Sequence, residues 1–283
     1  MNSYDAIVIG YGPCGVSCAV YLKRYGHNVC LVGKDMGALS KAHSIENYYG
    51  IKSISGADLF NEGINQAKGL NIPVIDDEIV SIEYGDNGYI IKGTNNIFSA
   101  KVVMLALGVS KNKFNLASKY EGIGVSYCAT CDGFFFRKKK TAIIGSGEYM
   151  KHELEVLENI IPDLTIFTNG NELSFKPNDN IKIVKEKIIS FNGDEKLESI
   201  TTESNTYEIE GCFIANGSAG GFSFAKHLGF MLDGNYIVVD KDMKTNIPGI
   251  YAGGDCIGGL LQVSKAVSDG AIAAQSISKY LKK

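Results

Sequence analysis

Cys128-Ala-Thr-Cys131-Asp132-Gly133 is the segment with the sharpest chemistry in this chain of 283 residues. Two thiols at this spacing in a helical turn can close a short-loop disulfide. A thiolate near a helix N-terminus has a lowered pKa, which makes it both nucleophile and leaving group. Asp132 stands where it can give and take the proton that travels with electrons; its other reading is a helix cap. Half of a zinc site is the competing reading for the pair. It needs two more Cys or His ligands at suitable spacing, and none of the other cysteines or the four histidines forms such a pair. Cys14 and Cys18, one turn apart on a helical pattern, and Cys30, Cys212 and Cys256, in apolar strands or at a strand end, read as small core residues.

A second constellation is Gly10-Tyr-Gly12-Pro13-Cys-Gly15. In a strand–turn–helix context Gly10 permits the tight turn, Gly12 lets backbone approach a pyrophosphate, and Gly15 allows close packing of helix on strand. The helix N-terminus adds unpaired N–H groups and partial positive charge. The acidic residue that usually holds the ribose should end the next strand, where this chain has Gly33. Either Asp35 substitutes, or backbone and water hold that ribose.

The elements around these residues follow from periodicity. Asp5–Ile9 reads as a strand, a helix runs to about Tyr25, and Asn28–Val32 is the next strand. Ile79–Tyr84, Tyr89–Lys92 and Ile97–Lys101 alternate like a small antiparallel meander, and Val102–Ala106 reads as a further strand into Leu107-Gly108. After the Cys pair the pattern restarts. Thr141–Ile144 ends in Gly145-Ser-Gly147, a helix runs to about Ile160, and strands follow at Leu164–Phe167 and Ile181–Lys185. A hairpin of Ile188–Phe191 with Leu197–Thr202 comes next, then Glu210–Ala215. This is a decayed internal repeat of the first unit. Ile250–Ala252, Gly253-Gly254-Asp255 and a helical pattern over Leu261–Leu281 return to the first domain. The expected architecture is α/β, with two Rossmann-like domains, the second inserted in the first. The dinucleotide-binding domain would be 1–112 with 238–283, and the inserted domain, carrying the Cys pair, 113–237.

The bulk numbers fit. The 33 glycines suit an α/β fold that brings backbone close to phosphates, and a net charge of −3 gives no case for nucleic acid. No apolar run reaches 18 residues, so no membrane span is expected. With no basic residue before Lys23 no signal peptide is expected, and seven cysteines without one point to a reducing cytoplasm.

With these motifs in order, the chain resembles the low-molecular-weight thioredoxin reductases along nearly its whole length. The matching residues are Gly10 to Gly15, Ile45-Glu46-Asn47-Tyr48-Tyr49-Gly50, Ala106-Leu-Gly108, Gly124-Val-Ser-Tyr-Cys128-Ala-Thr-Cys131-Asp-Gly133, and Gly253-Gly-Asp255 with Gln262. The resemblance implies FAD, a homodimer, and thioredoxin as the protein served. It also implies Asn47 near the flavin, Asp255 with Gly254 on the ribityl chain, Gln262 by the ring and Gly108 in the flavin site. Cys131 would lie nearest the flavin, and Cys128 would exchange with thioredoxin.

The pattern breaks where that family binds NADPH. The second turn reads Gly145-Ser-Gly147-Glu148-Tyr-Met150, and the stretch after Leu164–Phe167 is Thr168-Asn-Gly-Asn171, with neither arginine nor lysine. A 2′-phosphate without a cationic clamp binds poorly. In this the chain resembles the ferredoxin-dependent flavin thioredoxin reductases, which lack nicotinamide motifs. With roughly −400 mV for a low-potential ferredoxin and about −270 mV for thioredoxin, two electrons release on the order of 6 kcal/mol. Arg137-Lys-Lys-Lys140 and Lys111/Lys113 are candidate docking cations for an acidic ferredoxin, with a solvated turn as their plainer reading. Competing functions are an oxygen-dependent flavin dithiol oxidase, a redox-sensing module, and an NADH- or NADPH-dependent thioredoxin reductase with an atypical nucleotide site.

Overall fold

The computed structural model describes residues 2–108, 114–216, 228–234 and 236–282. It divides into two compact units, Met1–Ser110 with Gly220–Lys283, and Lys111–Ala219. Lys111 and Lys113 lie outside the described residues.

In the first unit β1 (Asn2–Ile9) is an apolar run whose Ala6, Ile7 and Val8 are completely buried, as strands covered on both faces must be. It leads through the glycine turn into α1 (Pro13–Arg24) and β2 (Val29–Gly33). α2 (Gly56–Gly69), which the sequence reading did not identify, begins at Ser55, whose hydroxyl accepts the Asp58 N–H. β3 (Val74–Asp76), β4 (Ile79–Gly85), β5 (Gly88–Gly93) and β6 (Ile97–Leu105) complete a sheet ordered β3-β2-β1-β6-β5-β4.

β6 corrects the expectation of two strands over Ile97–Lys101 and Val102–Ala106. It is one strand that pairs in parallel with β1 from Phe98 to Leu105. On its other edge, its first half pairs antiparallel with β5 and its second half pairs in parallel with β17 (Ile250–Ala252).

The second unit repeats the plan on a smaller scale. β7 (Val125–Ser126) leads to α3 (Ala129–Asp132), which carries the Cys pair; β8 (Thr141–Ile144), α4 (Glu148–Glu158), β9 (Leu164–Phe167) and β10 (Lys182–Val184) follow. With β14 (Gly211–Ile214) they form a parallel sheet ordered β10-β9-β8-β14-β7. The expected hairpin is a three-stranded antiparallel sheet, β11 (Ile188–Asn192), β12 (Ser199–Thr202) and β13 (Thr206–Glu208).

The chain then re-enters the first unit through the small hairpin β15 (Leu232–Asp233) and β16 (Tyr236–Ile237) and ends in α5 (Val263–Leu281). α5 packs on α1 at Gly270, where a Cβ would fall 2.2 Å from the Cys14 carbonyl oxygen. Among the described residues no helix is long and apolar enough to cross a membrane.

Candidate redox and dinucleotide sites

Each functional group in the second unit is set by a short strand–helix junction. Cys128 takes the N-cap position of α3 in extended backbone, and its Sγ accepts the Cys131 N–H at 3.2 Å. The two cysteines are joined as a disulfide with Cα atoms 5.4 Å apart, so neither sulfur is available as a metal thiolate. Ser126, at the end of β7, connects the rest of the site. Its hydroxyl oxygen accepts the Cys128 N–H at 3.2 Å and donates to Asp132 Oδ2 at 2.6 Å. The Asp132 carboxylate is therefore held by a side-chain hydroxyl and makes no helix-cap bond. From α4 the buried Glu153 Oε2 accepts the Ala129 N–H at 2.6 Å. Burial pushes this carboxyl up to about 7, against the lowering effect of that N–H. Cys128 is 2% exposed, while Cys131 is exposed.

The glycine turn of the first unit has the geometry its spacing predicts. At Gly10, with φ of +99°, a Cβ would lie 2.2 Å from the Ala106 carbonyl oxygen. At Gly15 it would lie 1.8 Å from the Gly10 oxygen. At Gly12, the N-cap of α1 with Pro13 following, a Cβ would meet nothing within 4 Å. The first two glycines hold helix and strands together, and the third leaves the helix N-terminus open to a phosphate.

The missing acidic residue at Gly33 has a structural counterpart. The ring of Tyr11 lies across that position, so a Cβ on Gly33 would come within 2.6 Å of it. The Tyr11 hydroxyl donates to Asp76 Oδ1 at 2.6 Å, which puts a carboxylate from β3 beside the end of β2. Burial foremost, and then Asp76, hold the Tyr11 phenol well above its ordinary range. Asp35 turns its carboxylate onto its own loop and accepts the Gly37 N–H at 2.7 Å.

Asn47 and Gln262, 215 positions apart in sequence, meet here. Asn47 Nδ2 donates to Gln262 Oε1 at 3.0 Å, at the N-cap of α5. Gly108, with φ of +68°, ends the segment after β6, with open space where a Cβ would be. Gly254 and Asp255 open a short 3-10 turn after β17; the Gly254 N–H donates to Asp269 Oδ2 at 2.9 Å. Burial raises the Asp255 carboxyl, and Lys265 opposes the rise. Lys265 Nζ donates to the carbonyls of Gly254 and Gly258, each at 2.8 Å, and pairs with Asp269 at 2.8 Å.

The five other cysteines are free and buried, and burial raises every one of their thiols. They are unreactive core groups.

Sequence reasoning missed Tyr11, Asp76, Ser126, Glu153 and Lys265. Glu153 left one trace. Met150, Glu153, Leu154 and Leu157 all lie on the buried stripe of α4, and a carboxylate on such a stripe needs a partner.

The family model for pyridine nucleotide-disulphide oxidoreductases matches residues 4–149 and 172–270. The chain is similar to the thioredoxin reductase of Ureaplasma parvum serovar 3, with 32% identity over 299 aligned residues, covering 98% of this chain and 97% of the relative. Among solved structures it is similar to the atypical thioredoxin reductase TRi from Desulfovibrio vulgaris Hildenborough. That match has a TM-score of 0.91 at 35% identity, covering 98% of this chain and 97% of the other. It is also similar to a ferredoxin-flavin thioredoxin reductase from Clostridium acetobutylicum, with a TM-score of 0.75 at 28% identity over the whole of both chains. FAD is the cofactor of such proteins, and the first unit fits it: the α1 N-terminus is open at Gly12 and closely packed at Gly10 and Gly15. On this match, which takes in most of both units, the chain belongs to the pyridine nucleotide-disulphide oxidoreductase family.

Proposed function

We propose that this chain is an FAD-dependent thioredoxin reductase whose Cys128–Cys131 disulfide passes electrons to thioredoxin, and that its electron donor is ferredoxin rather than NADPH. One observation carries the donor assignment. The second glycine turn, Gly145-Ser146-Gly147, is bonded to its own chain and followed by a carboxylate. The Ser174 N–H donates to the Ser146 carbonyl at 2.9 Å, and the Ser174 hydroxyl donates to Glu148 Oε1 at 3.0 Å. At the position that Gly15 fills in the first unit stands Met150, fully buried, its Cβ 2.9 Å from where a Gly145 Cβ would be. A pyrophosphate there would meet the Glu148 carboxylate, at a helix end that ordinarily favours anions. The loop after β9 is likewise bonded to its own chain through Gly170 N–H to Lys185 O at 2.8 Å and Ile188 N–H to Asn169 Oδ1 at 2.8 Å. The nearby Lys185 pairs with Glu172 at 3.7 Å.

FAD, when bound, supplies two-electron chemistry at a flavin ring. In this reading the FAD-binding domain is 1–112 with 238–283 and the inserted domain 113–237; the compact units follow the same division except that the hairpin of β15 and β16 lies with the first unit. Gly10, Gly12, Pro13 and Gly15 hold the pyrophosphate, and Asp35 or the Tyr11–Asp76 pair serves the adenosine end. Asn47, Gly108, Gly254, Asp255 and Gln262 hold the ribityl and ring end. Cys131 receives electrons and Cys128 exchanges with thioredoxin, which requires its buried sulfur to be uncovered. Asp132, aimed by Ser126, moves the proton that the thiols gain or lose.

Of the basic run, Lys140 pairs with Glu208 at 2.5 Å, Arg137 lies over the Phe134 ring at 4.3 Å and Lys139 over Phe136 at 4.9 Å. These partners favour a structured turn over a ferredoxin-docking patch. A homodimer is part of this reading on the strength of the resemblance; the cavity of about 530 Å³ beside α1, lined by Gly12, Pro13, Val16 and Phe60 among others, opens on the glycine turn and belongs with the cofactor site. The cytoplasm is the proposed compartment.

The test offers the purified yellow protein, with thioredoxin, reduced ferredoxin, NADPH or NADH in turn. Turnover is expected with ferredoxin alone. Turnover with NADPH at micromolar concentration would overturn the donor assignment. Rapid air oxidation of the reduced protein without thioredoxin reduction would favour a dithiol oxidase instead.

A further inference from the structure

The mechanism above leaves the buried Glu153 unused, and its carboxylate is bonded to the redox segment. We propose that Glu153 is a positioning residue of the disulfide: it holds the Cys128–Ala129 peptide, and its carboxylate takes up a proton when the disulfide is reduced. The inference rests on reading the Cys pair as a redox disulfide.

The geometry is direct. Glu153 lies on the face of α4 that packs against α3, is 6% exposed, and accepts through Oε2 the N–H of the peptide bond that follows Cys128. Reduction breaks the Cys128–Cys131 bond with two electrons and one proton, leaving one thiol and one thiolate. The new negative charge arises within the segment that Glu153 clamps, in a region of low dielectric, and disfavours a second charge on the carboxylate. Glu153 then takes one further proton from water.

The other titratable groups facing this region have their own places. From α3 and its cap come Cys128, Cys131 and Asp132, the last bonded to Ser126. From the segment before it comes Tyr127, bonded to Glu121 at 2.6 Å. On α4 itself stand Tyr149, bonded to the Tyr127 carbonyl at 3.2 Å, and His152. Burial raises the Glu153 carboxyl to about 7, and the Ala129 N–H opposes the rise.

The sign follows. Below pH 7 the carboxyl is already protonated in the oxidised protein and adds nothing to the proton count of reduction. Above pH 7 it must gain a proton on reduction, so reduction of the wild type becomes harder with rising pH more steeply than in a variant that cannot ionise.

The experiment is a redox titration of the holoenzyme disulfide against a dithiol buffer, by thiol labelling, between pH 6 and 8.5, for wild type, Glu153→Gln and Glu153→Ala. Gln keeps an acceptor for the Ala129 N–H and removes the proton site. Wild type and Glu153→Gln are expected to run parallel below pH 7 and to diverge above it. By pH 8 the variant should be up to about tenfold easier to reduce than that baseline, or about 30 mV for a two-electron couple. Parallel curves across the whole range would overturn the proton role and leave Glu153 as a structural clamp. A disulfide that no dithiol buffer reduces in the wild type would instead overturn the redox reading on which the proposal rests. Should Glu153→Gln fail to fold, the redox-difference infrared spectrum of the wild type at pH 8 decides. A protonated-carboxyl band gained on reduction supports the proposal, and its absence overturns it.

Discussion

At the scale of single residues, the redox site is joined by Ser126, whose one hydroxyl accepts the Cys128 N–H and donates to Asp132. This bond orients the carboxylate of the residue that follows Cys131. Asp132→Asn keeps an oxygen for the Ser126 hydroxyl and removes the titrating group. Thioredoxin reduction should fall on the order of a hundredfold, with bound FAD, read from the flavin absorbance, unchanged. A loss of less than about threefold would return Asp132 to a structural role. The sequence named Asp132 because it adjoins the pair. It could not show Ser126 or Glu153 as partners, since those bonds depend on how β7 and α4 are placed around α3. Gly33 teaches the same lesson in reverse: the residue expected to be acidic is replaced by space for a tyrosine ring from the preceding turn.

At the scale of elements, the short turn after β17 and the first turns of α5 are tied together by Lys265. Its ammonium donates to two carbonyls and pairs with Asp269, which also holds the Gly254 N–H. Hydrogen bonds to charged groups are worth about 1.5–3 kcal/mol each, and removing one partner leaves the other's charge uncompensated. Lys265→Met should therefore release FAD more readily, with an apparent Kd raised roughly tenfold or more by flavin-fluorescence titration. An unchanged Kd would separate this turn from cofactor binding. Element identity was legible where period was strong. β1, α1, β8, β9 and β17 lie within a few residues of their expected places. α2 went unread, and β6 was divided in two. The break in β6's pattern at Lys101 marks the point where its neighbour changes from β5 to β17, an alteration of partner rather than of strand.

At the scale of the whole molecule, the two units are versions of one plan. Gly10 and Gly145 both sit where a Cβ would strike a carbonyl of the neighbouring strand, Ala106 at 2.2 Å and Ala215 at 2.3 Å. The copies part five residues later, at Gly15 and Met150. At the first, glycine lets helix and strand pack closely; at the second, the buried Met150 takes that place. The assembly is argued at this scale too. Light scattering should give twice the 30.5 kDa chain mass. A wild-type monomer at micromolar concentration would remove the dimer.

The sequence by itself determined the repeated strand–glycine turn–helix units, the redox pair and the loss of a cationic clamp, because spacing along one short segment fixes each of them. Tertiary structure alone decided the Asn47–Gln262 contact, the Tyr11–Asp76 bond, the bonds of Ser174 to Ser146 and Glu148, and the burial of Glu153 against the Cys128–Ala129 peptide. Each of these joins residues from separate segments, and only packing brings such groups within reach of a hydrogen bond.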